Sequence, residues 1–139
     1  MAISFHNTYY DDIIENLSKI INDEFSIPVY FDEIKSNSFL LTPDSDDLVE
    51  YLSNGIQRDF NVNIIYELKQ AGNYNKNDFK QVTNVMERLR RLIFNNSSYG
   101  NGSNWFSAKI DTVNYERDED DPSIFRATAL FNCQNIEVV

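Results

Sequence analysis

The feature that most constrains this fold is a long alternation of apolar and polar residues that follows Gln57. Apolar side chains occupy every second position, at Phe60, Val62, Ile64, Tyr66 and Leu68. Because successive side chains of a β-strand point to opposite faces, the pattern predicts one long strand with a core face and a mostly polar opposite face. Such a strand requires partner strands and a layer that covers its apolar face.

A first covering layer is predicted near the start of the chain. From Asn7 to Asp23 apolar residues recur at intervals of three and four, which is typical of an amphipathic helix. We expect Thr8 to be the N-cap, with Asp11 in the first turn, where a carboxylate complements the exposed backbone amides. Pro28 then limits the helix and favours an extended backbone before it.

A second amphipathic helix is predicted after a loop from Gln70 to Lys76. Asn75 or Asn77 can cap it, and Asp78 falls in its first turn. Its apolar stripe consists of Phe79, Val82, Val85, Met86, Leu89, Leu92 and Ile93. A polar loop from Asn95 to Asn104 follows the helix.

Between the first helix and the long strand the sequence predicts shorter elements. Ile27 to Phe31 and Ser38 to Thr42 are each typical of a short strand. Composition predicts a turn from Pro43 to Asp47, and Asn54-Gly55 predicts another. Leu48 to Leu52 fits either a helical turn or a strand, and both interpretations remain open.

The C-terminal third of the chain predicts a β-hairpin. Trp105 to Tyr115 and Ser123 to Glu137 have the character of strands, and the acidic segment from Arg117 to Pro122 forms the turn between them. The complete order predicts a single α+β domain over residues 1–139. In this domain a mixed or antiparallel sheet packs against the two amphipathic helices.

The charge balance limits the possible partners. Twenty-two acidic residues oppose 12 basic ones, so the formal net charge is −10. Tight wrapping around nucleic acid needs clusters of Lys and Arg, and the chain has one basic cluster, at Arg88, Arg90 and Arg91. We expect these arginines to pair with acids either of the same chain or of a neighbouring chain, and both alternatives remain open. An acidic surface suits solubility, a basic partner, or a channel wall past which DNA slides.

Three features indicate folding in a cytosol. The first residues, Met1 to His6, lack the basic and apolar stretches of a signal peptide. Apolar runs extend over only a few residues, as in Phe39-Leu40-Leu41, so we expect no membrane span. The single Cys133 cannot form an internal disulfide, which agrees with a reducing compartment.

The sequence predicts no catalytic constellation. A nucleophilic mechanism would have to combine the single histidine, His6, with Cys133, which the pattern places in the middle of a strand rather than on an exposed turn. No glycine-rich phosphate loop is present, and the chain contains only four glycines. We therefore expect neither an enzyme nor a bound cofactor.

Two clusters of carboxylates are the remaining candidates for a metal site. The first, Asp44, Asp46 and Asp47, begins like a calcium loop. However, Val49 and Gly55 stand where that motif requires a glycine and a bidentate acid. The second cluster occupies the hairpin turn and is typical of a solvated tip. It consists of Asp118, Glu119, Asp120 and Asp121. We expect no metal at either cluster.

A segment rich in acids and serine, Ser38 to Leu52, leads into Gln57-Arg58-Asp59-Phe60 at the start of the long strand. This arrangement resembles the tail terminator proteins of long-tailed bacteriophages, in which a similar segment precedes a Gln/Thr-Arg-Glu-Tyr-like strand start. The later helix with Arg88-Leu89-Arg90-Arg91, followed by two strands, also matches that family. The resemblance covers nearly the whole chain.

The resemblance implies a role in assembly rather than catalysis. Tail terminators share part of the tail tube fold, form a ring of six, cap the finished tube and present a surface to the head–tail connector. It thus implies a hexameric virion protein of the tail or neck, with the tail tube protein and a connector or stopper protein as partners. DNA would pass through the lumen without specific binding. Either acidic cluster would line that lumen, the three arginines would lie between subunits, and the loop Asn95 to Asn104 would become ordered on contact with a partner ring.

Two other classes of function stay open. Another neck component or a tail tube protein has similar requirements, although a tube protein stacks into long polymers whereas a terminator stops at one ring. An acidic inhibitor that mimics DNA would need charges spaced along one face like phosphates. In this chain the acids are concentrated in a few segments with Lys and Arg between them.

Overall fold

The computed structural model of the chain describes residues 2–69 and 76–139. It confirms the α+β class, with a mixed five-stranded sheet and two helices. Helix α1 has a π-helical first part, Tyr9–Ile14, and an α-helical second part, Glu15–Phe25, and helix α2 is Lys76–Asn95. The strands are β1 (Val29–Tyr30), β2 (Ser38–Leu52), β3 (Gly55–Lys69), β4 (Phe106–Arg117) and β5 (Ile124–Val138).

The strands lie in the order β1-β2-β3-β5-β4. β1 runs parallel to β2, and all the other neighbours are antiparallel. The central pair is β3 and β5, whose register runs without a shift from Gly55–Val138 to Lys69–Ile124. The chain therefore crosses from β3 to the far edge of the sheet at β4 and returns as β5 in the middle. The predicted C-terminal hairpin is confirmed as β4–β5.

The core lies between the two helices and one face of the sheet. The predicted alternation of β3 is confirmed, since the five apolar positions from Phe60 to Leu68 are buried. β5 contributes the matching face with Phe125, Ala127, Ala129, Phe131 and Cys133. The helices cover this face with Ile13, Ile14, Leu17, Ile21, Val82, Met86, Leu89 and Ile93. Burial of these apolar side chains is the main force that holds the layers together.

The predicted turn from Pro43 to Asp47 is wrong, because these residues lie within β2. The ladder with β3 continues past them, with register shifts between Pro43 and Ser45 and between Leu48 and Glu50. A bulge removes one residue from the ladder, and an edge strand tolerates a proline because its outward N–H needs no partner strand. The segment Leu48 to Leu52, which fitted a helical turn or a strand, is strand.

The predicted turn at Asn54-Gly55 is confirmed and joins β2 to β3. Leu52 pairs with Gly55, and the Val139 N–H donates to the Asn54 carbonyl over 2.8 Å. A Cβ at Gly55 would collide with the backbone carbonyl of Glu137 on β5. Glycine is thus required there by the close approach of the neighbouring strand.

The predicted caps of both helices need correction. Thr8 has helical backbone angles, and its hydroxyl donates to Glu137 over 2.9 Å instead of capping α1. Asn7 takes the capping role, since its side-chain oxygen accepts the Tyr10 N–H over 3.2 Å. Asn77 lies within α2 rather than before it, and the alternative cap Asn75, with the predicted connection over residues 70–75, falls outside the described residues.

The polar loop that follows α2 is folded within the chain, contrary to the expectation that it needs a partner ring. The Tyr99 N–H donates to the Trp105 carbonyl over 3.0 Å, and the Tyr99 ring stacks on the indole with centroids 4.7 Å apart. Trp105 is fully buried, and its Nε1 donates to the Asn96 carbonyl over 2.8 Å. The buried Asn135 donates to the carbonyls of Ser103 and Asn104, which fixes the loop to β5.

Candidate assembly surface

The face of the sheet opposite the helices, termed the open face, carries no helix within the described residues. On β3 and β5 it is formed by the positions that alternate with the core positions, and most of these are half-buried, although Glu67 is buried beside Arg126. Its central side chains are Gln57, Asp59, Asn61, Asn63, Ile65, Thr128, Leu130, Asn132 and Gln134. The second face of the long strand is therefore mostly polar, as its alternation predicted.

A network of hydrogen bonds connects three strands across the open face. The Asn132 amide donates to the Asp59 carboxylate over 3.0 Å and to the Asn61 side-chain oxygen over 3.1 Å. Asn61 donates in turn to Ser45 Oγ over 3.0 Å. Gln57 and Gln134 form a further pair over 3.2 Å. These contacts fix neutral amides and one carboxylate at the centre of the face, whereas the cation Arg126, farther along β5, is already bound to Glu67 and Asp118.

The first acidic cluster is divided between the two faces of the sheet. Asp47 lies directly opposite Asp59 on the open face, a like-charge pair that costs stability in an isolated chain. The Asp44 carboxylate also lies on this side, where it accepts from the Asn63 amide over 3.2 Å. Asp46 lies on the helix side, with its carboxylate 3.7 Å from Arg58 Nε. The three carboxylates are therefore not one site.

The second acidic cluster lies at the β4–β5 turn, at the opposite end of β5 from the pair Asp59–Gln134. Asp118 accepts the backbone N–H groups of Asp120 and Asp121 over 2.8 and 3.0 Å, and these bonds, together with Arg126 at 3.0 Å, lower the pKa of its carboxyl. Hydrogen bonds from Ser123, together with Lys69 at 3.5 Å, lower the pKa of Asp121. Glu119 and Asp120 remain exposed. Half of this cluster therefore stabilises the turn.

The three arginines of α2 have different environments. Arg88 donates to the Glu24 carboxylate over 3.0 Å and lies over the Phe25 ring, so it joins the two helices. Arg90 donates to the Ile110 carbonyl over 3.0 Å and joins α2 to β4. Arg91 lies over the exposed Phe94 ring at 5.6 Å. Pairing within the chain thus accounts for two of the three arginines.

Both margins of the sheet have unpaired edges within the described residues. β1 pairs with β2 only at Phe39 and Leu40, so the outer side of β2 from Thr42 onward faces no strand. β4 is the last strand on the other side. The far half of β2 exposes apolar side chains, with 52% of Leu48, 46% of Val49 and 75% of Tyr51 accessible. The sequence pattern missed this apolar edge because these residues fitted a helical turn equally well.

The groups considered for catalysis do not form a site. His6 Nε2 lies 3.2 Å from the Asp12 carboxylate, and the hydrogen bond with Asp12 raises the pKa of the imidazole. Cys133 is buried in the core, where desolvation raises the pKa of its thiol. Over residues 2–69 and 76–139 no group of three His, Cys, Asp or Glu side chains is placed to hold a metal ion. No helix in that part of the chain is both long and apolar enough to span a membrane.

No protein-family model matches the chain, and no curated protein matches it. Twenty-six chains of solved structures are similar to it. One belongs to the "Virion of native gene transfer agent (GTA) particle", with 12% sequence identity and a TM-score of 0.48. That alignment covers 92% of this chain and 90% of the other chain.

Proposed function

We propose that the chain is a structural virion protein of a long-tailed phage or phage-like particle. It forms a ring, a hexamer by the family resemblance, that caps the tail tube and joins it to the head–tail connector. The observation that carries the proposal is a polar, acid-bearing sheet face bounded on both sides by unpaired strand edges. The resemblance of Gln57-Arg58-Asp59-Phe60 and of the arginine-bearing helix supports the same class. In this proposal residues 1–139 act as one unit.

The unpaired edges favour a closed ring. An exposed edge presents free N–H and C=O groups to any other strand, so a stable protein must cover it or use it. The far half of β2, which β1 does not cover, and the strand β4 lie at opposite margins of the sheet, so one margin of a subunit can pair with the other margin of the next. Repetition of such a head-to-tail contact closes into a ring when the rotation allows it.

The open face is suited to the lumen of such a ring. When sheets join side by side with their helices outward, the uncovered faces line the interior. The DNA would then face neutral amides, such as Asn61 and Asn132, together with carboxylates, such as Asp47 and Asp59. Carboxylates repel phosphate, and the cations Arg126 and Lys109 of this face lie beside Glu67 and Asp111, so DNA would pass without binding. Of the two acidic clusters, Asp44 and Asp47 suit this role, whereas Asp118 and Asp121 are occupied at the turn.

The test is sedimentation of the purified chain with and without purified tail tubes, combined with electron microscopy of the tubes. We expect one ring at a tube end and tubes that stop elongating once it is bound. Growth into long polymers would instead identify a tail tube protein, and binding to a purified connector without tubes another neck component. A chain that stays monomeric and binds no tube end would contradict the proposal. Inhibition of a basic nuclease by such a monomer would identify a DNA mimic.

A further inference from the structure

We propose that the exposed far half of β2, the donor edge, docks into a groove between β4 and α2 of the next copy. The donor edge consists of Asp46, Asp47, Leu48, Glu50 and Tyr51. The acceptor groove consists of Arg90, Arg91, Phe94, Ala108, Lys109 and Ile110. This inference rests on the proposed ring and specifies the contact from which the ring is built.

The acceptor groove combines aromatic surface with cations. Phe94 is 71% exposed on α2, although it adjoins β4. With Arg90, Ala108, Lys109 and Ile110 it lines a cavity of about 200 Å³ between the helix and the edge strand. Arg91 lies over the outer side of the Phe94 ring. An exposed phenyl ring flanked by arginines is a combination that protein interfaces favour.

The donor edge has the complementary composition. Leu48 and Tyr51 are on the helix side of β2, opposite Arg58 and Ile56 in the register. Asp47 and Glu50 are on the open-face side, and neither has an ion-pair partner among the described residues. These uncompensated carboxylates flank exposed apolar side chains, so one strand offers both kinds of contact.

The two surfaces correspond in charge. Among the described residues at the groove, the cations Arg90, Arg91 and Lys109 outnumber the acids Glu87 and Asp111, although the chain as a whole carries −10. At the donor edge the acids Asp44, Asp46, Asp47 and Glu50 outnumber the single cation Arg58. Electrostatic complementarity of this kind selects the partner and the orientation of docking.

The apolar and charged parts of the two surfaces also lie on matching sides of the sheet. If β2 of one copy continues the sheet of the next at β4, the helix side of both strands is shared. Leu48 and Tyr51 then approach Phe94 on the helix side, while Asp47 and Glu50 approach Lys109, which shares the open face with Asn132. The donor edge cannot reach the groove of its own chain, because β2 and β4 lie on opposite sides of the β3–β5 pair. A second copy is therefore the occupant.

The experiment is cross-linking of a double variant, Tyr51→Cys with Phe94→Cys, by a short bismaleimide in the presence of tail tubes. We expect a ladder of covalent oligomers that ends at the ring. An equal mixture of the two single variants should give nothing longer than a dimer, because each subunit then carries only one of the two cysteines. The matched control, Lys19→Cys with Tyr51→Cys, places the second thiol on the exposed side of α1 and should give no ladder. Cys133 stays buried in all variants.

A second measurement avoids dependence on one pair of cysteines. Lys109→Glu or Glu50→Lys alone should weaken ring formation at least 10-fold, roughly the effect of one lost interfacial charge pair. The double variant that combines Lys109→Glu with Glu50→Lys should recover most of the lost strength of ring formation. Glu119→Lys should leave ring formation unchanged. Rings that form with normal strength in all variants, and no ladder from the double-cysteine variant, would overturn the interface and leave the proposed function standing. Wild-type protein that binds no tube would overturn both.

Discussion

The Tyr9 hydroxyl accepts the backbone N–H of Asp44 over 3.1 Å. Asp44 is the residue that the first bulge of β2 removes from the ladder, so its N–H has no partner in β3. The same hydroxyl donates to the Asn61 carbonyl, and the Tyr9 ring packs on Phe60 with centroids 5.0 Å apart. One side chain of the first helical turn thereby fixes the point where the exposed half of the β2–β3 hairpin begins.

Replacement of Tyr9 by Phe tests this contact. The ring still packs on Phe60, but the Asp44 N–H and the Asn61 carbonyl lose their partner. We expect the free energy of unfolding to fall by about 1–2 kcal/mol, the usual cost of a partly buried group left unsatisfied. Urea denaturation measures it. Tyr10→Phe is the matched control, since Tyr10 is 44% exposed, and an equal effect of both substitutions would contradict the assignment.

The opposed carboxylates of Asp47 and Asp59 should cost stability in the free subunit. Asp47→Asn removes the repulsion and keeps the size of the side chain. We expect a gain of about 0.2–1 kcal/mol in the free energy of unfolding. The gain should shrink at high salt, because ions screen exposed charges. The control Glu119→Gln removes one negative charge at the other end of the sheet. An identical gain in this control would show that the lower net charge, and not the Asp47–Asp59 repulsion, stabilises the variant.

Among the charged residues of the sheet, we expect substitution of Arg126 to lower the stability most. Its Nε lies 2.8 Å from the carboxylate of Glu67, a residue only 4% exposed, and its Nη2 lies 3.0 Å from Asp118. Arg126→Met keeps the packing of the side chain but leaves the Glu67 carboxylate without its cation. Since the arginine is partly exposed, we expect a loss of roughly 2–4 kcal/mol, somewhat below that for a fully buried pair. Thermal unfolding measures it.

A matched variant separates charge loss from the loss of this contact. Arg91→Met also removes one cation, but Arg91 lies on the surface over the Phe94 ring. Its effect on stability should stay within about 0.5 kcal/mol, as for other surface substitutions. Similar unfolding temperatures for the two variants would show that the Glu67–Arg126 pair contributes little.

The imidazole of His6 should titrate above its ordinary pKa of 6.5. Hydrogen bonding to Asp12 favours the charged form, so folding gains from this contact at a pH below 6.5. The gain is lost as the pH rises through the raised pKa. Proton NMR of the single histidine measures the titration directly. Asp12→Asn should return the pKa towards 6.5, and an unchanged pKa would assign the shift to Asp11 or Glu137 instead.

Periodicity predicted the elements that have one face in the core. β3, β5 and both helices bury one side and expose the other, so the buried residues repeat at the period of the element. The far half of β2 is exposed on both sides of its pleat, so it has no such repeat. Its acids, serine and Pro43 therefore resembled a turn, and the pairing with β3 overrides that local preference.

The candidate site was predictable only as a list of residue types. The acids of the first cluster are visible in the sequence, but the bulge at Asp44 changes which of them share a face. The Thr8 cap failed for a related reason, because its hydroxyl bonds to Glu137, 129 positions away in the chain. Contacts between distant strands decide both cases, and short-range patterns do not contain them.

The bulge in β2 also sets how this hairpin can vary. Asp44 is the extra residue of that bulge, because Pro43 pairs with Val62 and Ser45 pairs with the next residue, Asn61. Loss of Asp44 would therefore make the ladder regular, and the residues that follow it up to Leu48 would keep their sides. Asp46 would stay on the helix side, and Asp47 would stay opposite Asp59. The bulge is thus a position where the length of this hairpin can change by one residue while each face keeps its electrostatic character.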